Sequence, residues 1–309
     1  MKILLTNTHM FQLGGSETYT YAIAKELYTC GHEVDLFTLA PGMVSDRIEL
    51  EGLAKVVGGA SLSFYDVGLI NHNTCFEVVK SHCAVTILTI HGLFDKREIP
   101  AEGADAYIGI SDEIRDVLMG KHRIKAKVIL NGVDCERFGG GFLPIHAKPR
   151  VILSMCQGYN ARRLVWDAAG LLGAEYLDVD GSQTEWAVQE KMKQADVVVG
   201  LGRSLYEAMA CGRNVFVYDC RMYMRSCLGD GFVTPWNIRR IQETNFSGRR
   251  FRAQFTPTTL ADHIQRYYDE AYGKINREYA LKNLNIKNQV GKYMALAEKL
   301  LEKSTHVQT

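Results

Sequence analysis

ADVVVGLGRSLYEAMACGRNVFVYD, residues 195–219, decides the architecture. Val197, Val198 and Val199 form an apolar run that breaks into Gly200-Leu201-Gly202. Good helix formers follow from Leu205 to Ala210, Gly212 ends them, and a second apolar run covers Val215 to Tyr218. The pattern reads strand, glycine turn, short helix, strand. Neither run alternates with polar residues, so both strands are expected in a parallel sheet covered on both faces. Ligands bind such sheets at the carboxyl ends of the strands, where a glycine turn opens a helix N-terminus. Gly200, Gly202, Arg203 and Ser204 fall at that point and offer close backbone approach, a fixed positive charge and a hydroxyl suited to a phosphate. Glu207, one turn further on, suits sugar hydroxyls, which a carboxylate can accept in pairs. The plain alternative is an exposed i,i+4 pair of Arg203 and Glu207, worth roughly 0.3 kcal/mol.

The same unit opens the chain. A strand at Lys2–Thr6, a turn ending in Gly14-Gly15, a helix from Ser16 to Cys30 capped by Ser16 and closed by Gly31, and a strand at Val34–Leu39 make a βαβ unit. The turn is not G-x-G-x-x-G and no acidic residue ends the second strand, which disfavours a nicotinamide dehydrogenase. Further strands are expected at Asp66–Asn71, Ala84–Ile90 and Ala106–Ile110, with Ser111 capping a helix through Leu118, and the apolar run Val128–Leu130 leads into the segment that closes the first domain. His91 ends one of these strands, at the functional edge of the sheet; a satisfied core histidine is the alternative. Gly139-Gly140-Gly141 and the segment from Pro144 to Pro149 form the best boundary. Beyond it a second set runs through a strand at Val151–Met155, a helix at Arg162–Leu172, a strand at Tyr176–Val179, a helix at Glu185–Gln194 and the opening stretch. The expected fold is α/β: two doubly wound Rossmann-like domains, 1–141 on the acceptor side and 142–275 binding the nucleotide sugar, facing a cleft. Helices in 276–309 are expected to cross back to the first.

Composition narrows the classes. A net charge of +1 over 309 residues provides no global field for nucleic acid. No apolar run reaches the ~18–20 residues of a membrane span, and the first six residues turn polar too early for a secretory leader, so a cytoplasmic location is expected. Eight cysteines lie scattered without a C-x-x-C pair, and read as free thiols with no structural metal. Arg239, Arg240, Arg249, Arg250 and Arg252, with Trp236, Phe246, Phe251 and Phe255 nearby, could touch an anionic membrane surface peripherally or a phosphate-bearing acceptor; a solvated face is the simpler reading.

The words of the sequence resemble a known family. Glu207-Ala208-Met209-Ala210-Cys211-Gly212 before an apolar strand looks like the E-A-M-A-x-G segment of GT-B glycosyltransferases of the family-4 type. Thr89-Ile90-His91-Gly92 and Asn131-Gly132-Val133-Asp134 with Phe138 are similar to two more of its words. The resemblance implies a metal-independent enzyme without a cofactor, transferring sugar from a nucleotide-diphosphate sugar to a glycan, lipid-linked or small-molecule acceptor with retention. It implies that Glu207 holds the ribose and His91 orients the sugar, and that the Gly14-Gly15 loop faces the ligand. Arg163, Arg203, Ser204 and the Gly202 backbone would hold the diphosphate. Two departures stand out. Gln157 occupies the place of a phosphate-binding arginine, for which Arg162 or Arg203 could substitute, and Val199 that of the family's first carboxylate. They leave a non-catalytic sugar-nucleotide or glycan-binding relative open, and a sugar-nucleotide epimerase is a further alternative. Asp178-Val179-Asp180 resembles the fold's strand-end turn more than a metal site.

Overall fold

The computed structural model describes residues 1–139, 144–179, 186–221 and 226–307, with side chains to 304. In chain order the elements begin with β1 (Lys2–His9), α1 (Gly15–Thr29), β2 (Glu33–Ala40), α2 (Met43–Leu50), β3 (Lys55–Val57), β4 (Tyr65–Asn71) and α3 (Asn73–Val79). They continue with β5 (Cys83–Ile90), β6 (Ala106–Gly109), α4 (Asp112–His122) and β7 (Ala126–Val128). Next come β8 (Val151–Ser154), α5 (Tyr159–Leu172), β9 (Glu175–Asp178), α6 (Val188–Gln194), β10 (Val197–Gly200), α7 (Arg203–Ala210), β11 (Asn214–Asp219) and β12 (Leu228–Phe232). The remaining helices are α8 (Ile238–Gln242), α9 (Pro257–Tyr267), α10 (Ala271–Tyr279) and α11 (Ile286–Val307).

The chain divides into two compact units, Met1–Gly132 with Ile286–Thr309, and Val133–Asn285. The first crossing therefore precedes the glycine run. Gly139 belongs to the second unit, where an added Cβ would lie 2.4 Å from the Cys135 carbonyl, so it is packed and not a free linker. Gly140 and Gly141 lie outside the described residues, as do Asp180 and Glu185. The return falls after Asn285 because α10 packs on α7 in the second unit, leaving α11 alone to return to the first.

The first unit is a seven-stranded parallel sheet in the order β3-β2-β1-β4-β5-β6-β7. The strand order reverses between β1 and β4, and the carboxyl ends at that switch point are His9 and Asn71. On one face Leu4, Phe37, Tyr65, Phe76, Leu88 and Ile114 are buried together, each contributing about 1.5–3 kcal/mol if its apolar side chain is fully withdrawn from water. α11 packs on α1 and β5. The Tyr293 hydroxyl there lies 3.1 Å from that of Tyr19 and 2.9 Å from that of Thr89.

The second unit is a five-stranded sheet in the order β12-β11-β10-β8-β9, parallel except for β12, which runs antiparallel on β11 at the edge. Its switch point lies between β8 and β10. The apolar runs read from the sequence are its centre: Val197, Val198 and Val199 are fully buried, and Val199 and Phe216 pack with Val165, Phe232 and Ile264. Among the described residues no helix is long and apolar enough to cross a membrane.

Two local expectations are corrected. Gly14, not Ser16, is the N-cap of α1; Ser16 lies inside the first turn and donates its hydroxyl to the Glu17 carboxylate at 2.9 Å. The cysteines are not all free thiols, because Cys220 and Cys227 form a disulfide. Their Cα atoms are brought to 4.1 Å by the end of β11 and the start of its antiparallel neighbour β12, a pairing that sequence spacing does not reveal.

Candidate functional site

In the second unit, the switch point puts Gly200 to Glu207 at the carboxyl end of β10. Gly202 turns the chain with φ +61° and ψ −128°, a conformation suited to glycine, and α7 starts at the next residue. The Gly202 N–H donates to the Phe246 carbonyl at 2.8 Å, and the Ser204 hydroxyl donates to Leu201 O at 3.0 Å. Both groups are thus spent on the protein's own carbonyls.

Arg203 and Glu207 are brought together as the i,i+4 spacing requires, Nε to Oε1 at 3.0 Å. The pair is buried, with the two side chains only 8% and 11% exposed, so the surface-pair alternative fails. Burial drives the Glu207 carboxyl above its usual range, while the charges of Arg203 and Arg137 pull the other way. Arg137 belongs to the 131–138 word and stacks on Phe138 and Trp186, which ties that word to Glu207.

At the neighbouring strand end, Gln157 and Gly158 donate their amides to the Asp219 carboxylate at 3.1 and 3.2 Å. The guanidinium that meets Gln157 comes from neither Arg162 nor Arg203. Arg221, ion-paired with the fully buried Asp219, donates to Gln157 Oε1. Arg162 faces Asp178 at 3.5 Å. Arg163 is 58% exposed, lies over the Trp166 ring and pairs with Asp167 at 3.3 Å; it makes no contact with Arg203 or Glu207.

The first unit concentrates a different chemistry. Histidines end or follow three neighbouring strands: His9 on β1, His72 after β4 and His91 after β5. His9 Nδ1 meets the buried Glu17 carboxylate at 2.8 Å, and its Nε2 meets Arg97. His72 faces Glu98 at 3.5 Å, and Glu98 also accepts the His91 amide at 2.7 Å. His91 Nε2 lies 2.8 Å from Asn71 Oδ1. Since Asn71 Nδ2 donates to the Thr6 carbonyl, its Oδ1 must accept, and His91 carries its proton on Nε2. The Tyr19 ring meets the His91 ring edge to face at 4.9 Å.

Gly14 and Gly15 stand beside this cluster. A Cβ on Gly14 would lie 2.4 Å from Glu17 Oε2, whereas one on Gly15 would meet nothing within 4 Å. Gly14→Ala is accordingly expected to fold, since only a flexible carboxylate must yield, but to displace Glu17 from His9. Turnover should fall about 10- to 100-fold, with some loss of melting temperature because the displaced carboxylate is buried; unaltered turnover would remove the dyad from the site.

Sequence reasoning singled out His91, Gly14 and the Gly200–Glu207 turn; the structure adds His9, Glu17, His72 and Glu98 beside the first two and Arg137 and Arg221 in the second unit as further candidates. A usable signal was present, because His9, His72 and His91 each terminate an apolar strand, as does the Asp219–Arg221 segment.

No family model matches the sequence, and no curated protein matches it. Solved structures do. A glycosyltransferase from Rickettsia africae aligns with a TM-score of 0.64 and 12% identity over 97% of this chain and 98% of that one. Anabaena HepE, solved with UDP and glucose, aligns with a TM-score of 0.62 and 15% identity over 96% and 99%. The chain has the GT-B fold. A Listeria monocytogenes protein assigned as a UDP-N-acetylglucosamine 2-epimerase shares it as well, with a TM-score of 0.59 and 10% identity over 98% of each chain. The fold alone therefore does not choose the reaction.

Proposed function

We propose that this protein is a glycosyltransferase that moves a sugar from a nucleotide-diphosphate donor to a glycan or lipid-linked acceptor. The observation that carries this reading is the buried Arg203–Glu207 pair at the switch point of the second sheet. A carboxylate withheld from water and oriented by an arginine is set to accept two ribose hydroxyls. Arg221 at Gln157 and Arg163 on α5 would neutralise the diphosphate, whose charge grows as the glycosidic C–O bond breaks. Arg163 gives up little to do so, since its exposed i,i+4 pair with Asp167 is worth only about 0.3–0.5 kcal/mol. Gly14, Gly15 and the His91 cluster would hold the sugar and acceptor. The reaction exchanges the donor's bond from anomeric carbon to phosphate oxygen for one to the acceptor oxygen, and the acceptor proton leaves with the diphosphate. Retention and independence of metal follow the resemblance of the Glu207–Gly212 segment. A lipid-linked acceptor would bring the exposed Arg239, Arg240, Arg250 and Arg252 to an anionic surface.

Calorimetry with UDP and uridine tests the donor site. Arg221→Ala and Arg163→Ala should each weaken UDP by about tenfold or more while changing uridine little, since one lost charge contact to phosphate costs ~1.5–3 kcal/mol. Equal losses for both ligands would remove those two assignments.

A second reading, a sugar-nucleotide epimerase, gains from the first unit, where Glu17 and Glu98 are buried carboxylates against His9 and His72. Product analysis with donor and no acceptor decides: an epimerised nucleotide sugar supports it, and an acceptor-dependent glycoside excludes it. A non-catalytic relative would bind UDP and turn over no donor from a nucleotide-sugar panel.

A further inference from the structure

The arginine-rich segment singled out in the sequence borders a cavity of about 290 Å³ on the outer side of β12, sharing no residue with the Arg203–Glu207 site. Asp230, Thr234, Trp236, Phe251, His263 and Tyr267 are among its walls. The cavity is a built one. The Asp230 carboxylate accepts the amides of Gly248 at 3.1 Å and Phe251 at 2.7 Å, which pins the segment carrying Phe251 to the edge strand. That segment includes Gly248 and Arg252 in left-handed conformation, with φ +77° and +55°. Gly231 has φ +80°, and a Cβ there would stand 2.7 Å from the His263 ring, so only glycine lets the imidazole lie against β12.

His263 Nδ1 accepts the Phe232 amide at 3.4 Å, which places its proton on Nε2. Nε2 and the Thr234 hydroxyl have no partner among the described residues and can serve an incoming polar ligand. Trp236 is 77% exposed, and its only ring contact among the described residues is an edge on Tyr272 at 6.0 Å. Cations flank two of the aromatic walls: Arg240 lies over Phe251 at 5.3 Å and Arg266 over Tyr267 at 5.5 Å.

The shape selects among ligands. The size suits one ring, near the lower limit of about 300 Å³ for ligand pockets. The lining rings meet at 79° between Phe255 and His263 and at 49° between His263 and Tyr267. Among the described residues these pairs offer no parallel faces to sandwich a flat base. A pyranose fits better, because it packs C–H faces on aromatic rings and turns hydroxyls outward in several directions. Trp236 protrudes, but Phe232, Phe255 and His263 line a hollow that contact with a flat bilayer would leave unfilled. The guanidinium groups at the rim favour a carboxylate or phosphate on the sugar.

We propose that this cavity is a saccharide-binding subsite that takes one ring of an anionic glycan, through Trp236, Thr234 and His263 with Arg240 and Arg266 at the rim.

Saturation-transfer NMR and calorimetry on the full chain, with UDP present to fill the donor site, test it using methyl β-glucuronide and methyl β-glucoside as a matched pair. The glucuronide should receive saturation on its ring protons and bind about threefold or more tightly than the glucoside. Trp236→Ala should weaken it about tenfold and leave UDP affinity unchanged, and Arg240→Gln with Arg266→Gln should erase the preference for the acid. No saturation transfer, equal affinity of the two glycosides, or an unaltered response in Trp236→Ala would overturn the assignment. So would a Trp236→Ala protein that has lost sedimentation with phosphatidylglycerol vesicles and shows no saccharide response before or after mutation; that result would make the face a lipid contact. Because the readout is saccharide binding, it stands or falls separately from transferase activity.

Discussion

Glu207→Ala is expected to abolish UDP binding and transfer and, at the same time, to destabilise the second unit by about 3–5 kcal/mol. An exposed i,i+4 pair, the alternative the spacing left open, could be trimmed at a cost of only roughly 0.3 kcal/mol. The structure corrects this, since the carboxylate is the ion-pair partner of an arginine that is itself buried, and removing it takes away a compensating charge where water cannot replace it. Glu207→Gln should behave almost as badly, because the amide keeps the shape but not the charge. The informative variant replaces both residues by leucine. A buried ion pair exchanged for apolar side chains of similar bulk is often neutral or stabilising. Arg203→Leu with Glu207→Leu should therefore recover most of the lost stability while still failing to bind UDP. Thermal unfolding and calorimetry on the same samples separate the two effects. A double variant that binds UDP normally would sink the ribose-binding role, and a Glu207→Ala protein as stable as the parent would show that the pair is not buried in solution.

The second large effect is expected at Glu98 in the first unit, which no sequence motif marked. Its carboxylate accepts the His91 amide at 2.7 Å and faces His72 at 3.5 Å. Burial pushes its pKa up, but the His72 hydrogen bond, the charges of His91 and His72, and the His91 amide outweigh it, and the net displacement is downward. A carboxyl held below its unfolded value, about 4.3, contributes stability in full above that pH and loses it as pH falls through the lowered folded value. Glu98→Ala should cost about 2–4 kcal/mol at neutral pH and lower turnover roughly 100-fold through misplacement of His91. Glu98→Gln retains an acceptor for the His91 amide and should lose less. Its stability relative to the parent should improve as pH drops below about 4.3. Urea unfolding of the parent and of the Glu98→Gln variant between neutral and acid pH checks the sign: a constant gap would show that Glu98 has the same pKa folded and unfolded.

Legibility in the sequence followed the range of the interactions. The βαβ units at both ends of the reading, the central strand at Val197–Gly200, the Ser111 cap and the Arg203–Glu207 spacing all depend on neighbours within a few residues. They were read correctly. The cap of α1 was misplaced because Ser16 found a better acceptor in Glu17 than in the backbone N–H groups that a capping hydroxyl would accept. The unit boundaries were misplaced because a glycine run signals freedom only where nothing packs on it, and Gly139 lies against Cys135 and Arg277. The contact of Arg221 with Gln157 was not legible because the two lie 64 residues apart in sequence, and only the order β11-β10-β8 brings the carboxyl ends of their strands together.

By itself the sequence determined that this chain makes two α/β sheets with parallel centres and glycine turns at the strand ends, because continuous apolar strands must be covered on both faces and glycines are needed where the backbone turns sharply; the antiparallel edge strand β12 came only from the structure. Tertiary structure alone decided which ionisable groups lose their water. Whether Arg203 and Glu207 form a trivial surface pair or a buried one, and whether three distant histidines share two carboxylates, depends on what covers them. Desolvation belongs to the folded surroundings, and no local spacing encodes it.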